Sequence, residues 1–115
     1  MGQITMNLKE LNLFKRKYFD LSKQRYQGYI IHDPGTTREH RKLVTEVCEW
    51  AHDNGLIYFT RVYLSTGKIV DVVIPELVRP FIEIRASEEK KEKLYLDEYI
   101  DLIQFVDVSD PYKLQ

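Results

Sequence analysis

Residues 68–87 read KIVDVVIPELVRPFIEIRAS. Two short β-branched runs, 68–74 and 81–86, flank a connection bracketed by Pro75 and Pro80. The stretch looks like two apolar β-strands joined by that short connection. The two strands are expected to form a hairpin. Its apolar runs are nevertheless interrupted by Asp71, Glu83 and Arg85. Side chains alternate along a strand, so Phe81, Glu83 and Arg85 share one face. A hairpin centred near residue 77 places residue 71 opposite residue 83 or close to it, about 5 Å away. Two adjacent carboxylates repel unless a proton or cation intervenes. A divalent cation with oxygen ligands, Mg²⁺ or Mn²⁺, removes that conflict. The plainer alternative is an acid at a strand edge beside ordinary cross-strand ion pairs.

The rest of the chain frames this hairpin. Leu8, Leu11, Phe14, Tyr18 and Leu21 recur at helical spacing, which predicts a first helix over 7–26. Tyr29–Ile31 predicts a short strand, and Asp33-Pro34-Gly35 is a strong break. A second helix follows, capped by Thr36 or Thr37 and ended by Asn54-Gly55, with Leu43, Val44, Val47, Cys48 and Ala51 as its buried stripe. The period then changes to that of a strand over 57–64, and Ser65-Thr66-Gly67 reads as a hairpin loop. Ser87 caps a third helix over 87–100, and 102–108 is a last strand. A helical crossover between the third and fourth strands predicts that those two are parallel. The expected fold class is α/β, with a mixed sheet of about four strands flanked by helices in the order α-α-β-β-β-α-β. Residues 1–34 read as a basic helix and linker, 35–110 as the α/β core and 111–115 as a tail, within one compact domain.

Composition narrows the function. The single cysteine, Cys48, allows neither an internal disulfide nor a cysteine zinc cluster, which fits an intracellular, cytoplasmic setting. No apolar run approaches the roughly 20 residues of a membrane span, and the first residues do not resemble a signal peptide. Neither GxxxxGK[ST] nor GxGxxG occurs, so no nucleotide cofactor is expected. Net charge is −1, yet residues 1–50 carry nine Lys/Arg against six Asp/Glu. The excess gathers at Lys9, Lys15, Arg16, Lys17, Lys23 and Arg25 among aromatic residues, a composition suited to phosphate contact or to a solvated cationic face. His32, His40 and His52 read as surface or capping residues, and Cys48 as core.

The run IVD with Asp71, followed by IEIR with Glu83 and Arg85, resembles the PD-(D/E)XK nuclease superfamily. That restriction-endonuclease-like fold includes archaeal Holliday-junction resolvases. The likeness spans about Gly35 to Val108. It departs from the family in Val70, where the motif name has proline, and in Arg85, where lysine is expected. The resemblance implies a metal-dependent deoxyribonuclease, a phosphodiester hydrolase using Mg²⁺ or Mn²⁺. Asp71 and Glu83 would hold the metal, with Glu39 from the preceding helix and Glu46 as its runner-up. Arg85 would orient the attacking water or balance charge on the phosphate. Lys15, Arg16, Lys17, Arg61 and Lys68 would touch the DNA backbone. The fold family also suggests a homodimer. Two other classes compete: a non-catalytic DNA-binding module such as a winged helix, and a degenerate nuclease fold acting in assembly, to which Arg85 in place of lysine points.

Overall fold

The computed structural model describes residues 6–23, 25–85 and 99–107. The predicted helix over 87–100 and the tail fall almost wholly outside these residues; only Tyr99 and Ile100 are described. The elements are α1 (Leu8–Tyr18), α2 (Arg38–Asp53), β1 (Phe59–Tyr63), β2 (Ile69–Val73), β3 (Phe81–Arg85) and β4 (Ile103–Asp107), with one 3₁₀ turn, Ile100–Leu102, leading into β4. The strands form one sheet in the order β1-β2-β3-β4. β1, β2 and β3 are antiparallel neighbours, while β3 and β4 run parallel, so the sheet is mixed.

A helix covers each face. Phe81 belongs to the core under α1, whereas Ile82 and Ile84 belong to the core under α2, as strand alternation requires. On the α1 side, Leu11 and Phe19 pack with Phe59, Val62, Leu64, Val70, Val73, Phe81 and Ile103. On the α2 side, Leu43, Val44, Val47, Cys48 and Ala51 pack on Val72, Ile74, Ile82, Ile84 and Val106. The stripe read from the sequence is therefore the buried one.

α1 begins in a capping box, in which Asn7 accepts from the Glu10 N–H and Glu10 accepts from the Asn7 N–H. It stops eight residues earlier than its periodicity predicts. Phe19 turns extended, is buried, and bridges Leu64. Burying this ring against Phe59 outweighs continuation of a helix whose next apolar position, Leu21, is exposed.

Residues 29–31 form no strand. They belong to a segment that covers the outer edge of β1 through irregular bonds. The Asp20 N–H donates to the Tyr63 carbonyl, the Gly28 N–H to the Tyr58 carbonyl, and the Ile31 N–H to Thr60 Oγ1. An uncovered edge strand is a template for aggregation, and this segment closes it.

Candidate functional site: a break shared by three strands

Asp71 sits where the regularity of the sheet fails. Val70 packs on the α1 side, but Val72 and Ile74 pack on the α2 side, although residues two apart in a strand normally share a face. β1 slips in the same way, with Phe59 and Val62 both under α1. The register is kept on either side of the slip, with Thr60 opposite Val72 and Val62 opposite Val70. Arg61 and Asp71 therefore face each other across an unpaired step. Arg61 absorbs the kink with φ +48°, the one non-glycine residue of left-handed conformation among the described residues. That conformation costs an L-residue on the order of 1–2 kcal/mol.

The ladder also stops on the other side of Asp71. Val73 pairs with Phe81 and Val72 with Ile82, so the next step would bring Asp71 opposite Glu83. There the carboxylates replace the main chain. The Asp71 N–H donates to Glu83 Oε1 at 3.0 Å, and the Ile84 N–H donates to Asp71 Oδ2 at 2.9 Å. Glu83 is buried, with only 3% of its surface exposed. The hairpin register thus does bring the two strand acids together. Each also has a structural task, because each satisfies an amide that the parting strands would otherwise strand.

α2 supplies a third group. The Thr37 side chain caps its first turn by accepting from the His40 N–H, which fixes His40 over the sheet. His40 Nε2 lies 3.3 Å from Asp71 Oδ2. His40 is buried rather than a surface or capping residue, and its contact with Asp71 escaped the reading of the sequence. A signal was present: residue 40 stands three and four positions before Leu43 and Val44, on the helix's apolar stripe. His32, exposed in the preceding loop, has its pKa lowered by desolvation first, then by Arg41 and His40.

Glu39 is exposed at the start of α2, as is Glu46 further along. Among the described residues no group of three His, Cys, Asp or Glu side chains is placed to hold a metal ion together. Arg85 reaches across to β4. Its Nε and Nη2 bind the two oxygens of Asp107 at 2.6 and 3.0 Å, and its guanidinium lies 4.7 Å from the centre of the Phe105 ring. Register explains the pairing, since Arg85 is opposite Asp107 in the parallel ladder.

Lys15, Arg16 and Lys17 form the last turn of α1, where positive charge complements the helix dipole. Lys15 lies over the Phe59 ring and Lys17 over the Tyr18 ring. Lys68 is half-buried, just ahead of β2. Burial pushes the Cys48 thiol up to about 12, so it is a core group and not a nucleophile at neutral pH. No helix among the described residues is long and apolar enough to cross a membrane.

No protein-family model, curated protein or solved structure matches this chain.

Proposed function

We propose that the chain is a Mg²⁺- or Mn²⁺-dependent deoxyribonuclease whose centre is the Asp71–Glu83 pair. The observation that supports this is the break in the sheet, which gathers two carboxylates and an imidazole where strand pairing has been given up. Such departures from local regularity cluster at functional sites.

The donor set suits a hard cation of the magnesium type, which is commonly held by one or two carboxylates and keeps its remaining positions for water and substrate phosphate. Asp71 and Glu83 are those two carboxylates; Glu39 is not required. When bound, such an ion polarises the scissile phosphate and lowers the pKa of a coordinated water. The chain's own contribution is rigidity. The Ile84 and Asp71 amides hold the carboxylates in place, so little reorganisation is needed when substrate arrives. His40 braces Asp71 from the α2 side. Arg85 pairs with Asp107 and ties β4 to β3.

That role for Arg85 is testable. Arg85→Ala should cost about 1–2 kcal/mol of stability, the scale of a half-buried bidentate pair, and a cycle with Asp107→Ala should return most of it as coupling. Cleavage per folded molecule should stay close to that of the parent. A loss of about 10²-fold would instead put Arg85 on the phosphate.

The Arg85–Asp107 pair favours a second reading, a DNA-binding module without catalysis, because it engages the motif's cation with a carboxylate of β4. Cleavage assays with Mn²⁺ on branched, duplex and single-stranded DNA decide between the two. The parent should cut at least one substrate, and Glu83→Gln should lose about 10²-fold or more. A parent that binds DNA but cuts none of them leaves the binding module.

A further inference from the structure

Three cations converge on one ring beside the break. Lys23 Nζ lies 4.7 Å from the centre of the Tyr63 ring, and the Arg25 and Arg61 guanidinium carbons lie 5.4 and 5.8 Å from it. Arg25 is fixed there by donating from Nε to the Arg61 carbonyl at 3.0 Å. Arg61 adopts its left-handed conformation at this spot, and its Nε is buried with no hydrogen-bond partner. The Asp33 carboxylate stands 3.6 Å from Arg61 and is half exposed. Asp20 accepts from Ser22, and its pKa is lowered first by those hydrogen bonds and then by the neighbouring Lys23 charge. Three cations around one ring repel and outnumber these two carboxylates, and a strained backbone supports one of them. An anion placed among them relieves the repulsion.

The adjoining loop presents aromatic surface. Tyr26 and Tyr29 are 79% and 64% exposed, with ring centres 5.8 Å apart. Gly28 makes the turn between them at φ +81°, and its carbonyl accepts from the Tyr58 hydroxyl. Two exposed rings held by an anchored turn, next to a cluster of cations, match a strand of nucleic acid in which phosphate and base faces are both accessible. A duplex hides its base faces, so these rings gain little from it.

We infer that Lys23, Arg25 and Arg61 around Tyr63, with the Tyr26–Tyr29 rings, form a subsite for single-stranded nucleic acid leading to the Asp71 break. The inference deepens the nuclease proposal, on which it rests for the identity of the polymer. The substrate class is then unpaired or frayed DNA. Arg61 links the subsite to the site, because it faces Asp71 across the unpaired step of β1 and β2.

The test is fluorescence anisotropy in EDTA, where nothing can be cut, using a labelled oligothymidylate and a duplex of equal length. Joint Tyr26→Ala and Tyr29→Ala substitution should weaken oligothymidylate binding about tenfold or more and leave duplex binding unchanged. Arg61→Gly accepts the positive φ, so its fold is kept, and it should lower affinity and reduce the salt slope by about one. Lys23→Gln should behave likewise. Equal affinities for parent and variants overturn the inference, as does binding to phosphatidylserine vesicles with none to oligothymidylate. If parent and variants follow the expected order but the parent cuts nothing with Mn²⁺, the subsite stands and the nuclease proposal falls.

Discussion

Asp71→Ala should lower stability by about 2–4 kcal/mol, whereas Asp71→Asn should cost about 1 kcal/mol, and both should abolish metal-dependent cleavage. The difference comes from one oxygen. Asp71 Oδ2 accepts from the Ile84 N–H and meets His40 Nε2, and both neighbours are buried. Alanine removes the acceptor from an amide with little access to water. The asparagine carbonyl keeps it and removes only the charge. Urea unfolding measures the first effect. Thermal melts with and without Mn²⁺ measure the second, since an ion bound by the folded state raises its stability by mass action. The parent should gain stability from Mn²⁺ and Asp71→Asn should not. If Asp71→Ala unfolds like the parent, the carboxylate does not close the gap between β2 and β3. If Asp71→Asn responds to Mn²⁺ as the parent does, the ion binds elsewhere.

What the sequence conveys here divides by the range of the interaction. The α2 stripe and the four strands were legible, because periods of 3.6 and 2 residues record which face is buried. The opposition of Asp71 and Glu83 followed from hairpin geometry once Pro75 and Pro80 had set the turn. The end of α1 was not legible. Leu21 continued the helical period, and only the tertiary pull on Phe19 tells that the chain must leave the helix before it. The slip of β1 and β2 left a partial trace. Apolar residues at 70, 72, 73 and 74 cannot all alternate, and the irregularity falls at Asp71. The left-handed Arg61 left no trace, because arginine carries no signal for positive φ. Nor did the union of Arg85 with Asp107, which depends on a parallel register set across a long connection. His40 lay between these cases: its place on the stripe was readable, while its partner was not.

The largest loss of stability should come from Phe81→Ala, about 3–5 kcal/mol, with Phe81→Leu costing about 1–2 kcal/mol. Phe81 has no exposed surface, and it stands where β2, β3 and β4 meet, paired with Val73 on one side and Ile103 on the other. Its ring centre lies 6.1 Å from that of Phe14, 5.3 Å from Tyr18 and 5.4 Å from Tyr99. Two of these partners are on α1 and the third leads into β4, so the ring joins three elements. Removing it leaves a cavity that the stiff strands beneath cannot collapse to fill. For a domain of this size each kcal/mol lowers Tm by about 4 °C, so alanine should lower it by more than 10 °C. Glu83 lies two residues along the same strand face, but leucine keeps residue 81 apolar and buried, so the register that sets Glu83 against Asp71 is retained. Phe81→Leu should therefore keep the Mn²⁺ response of the parent while weakening any DNA affinity contributed by Lys15, Arg16 and Lys17, whose helix it loosens. Calorimetry with and without Mn²⁺, together with anisotropy on duplex DNA, reads all three quantities. A Phe81→Leu protein that loses its Mn²⁺ response and keeps its DNA affinity would mean that the carboxylate pair depends on the packing of Phe81 against α1 and that the basic turn of α1 takes no part in binding.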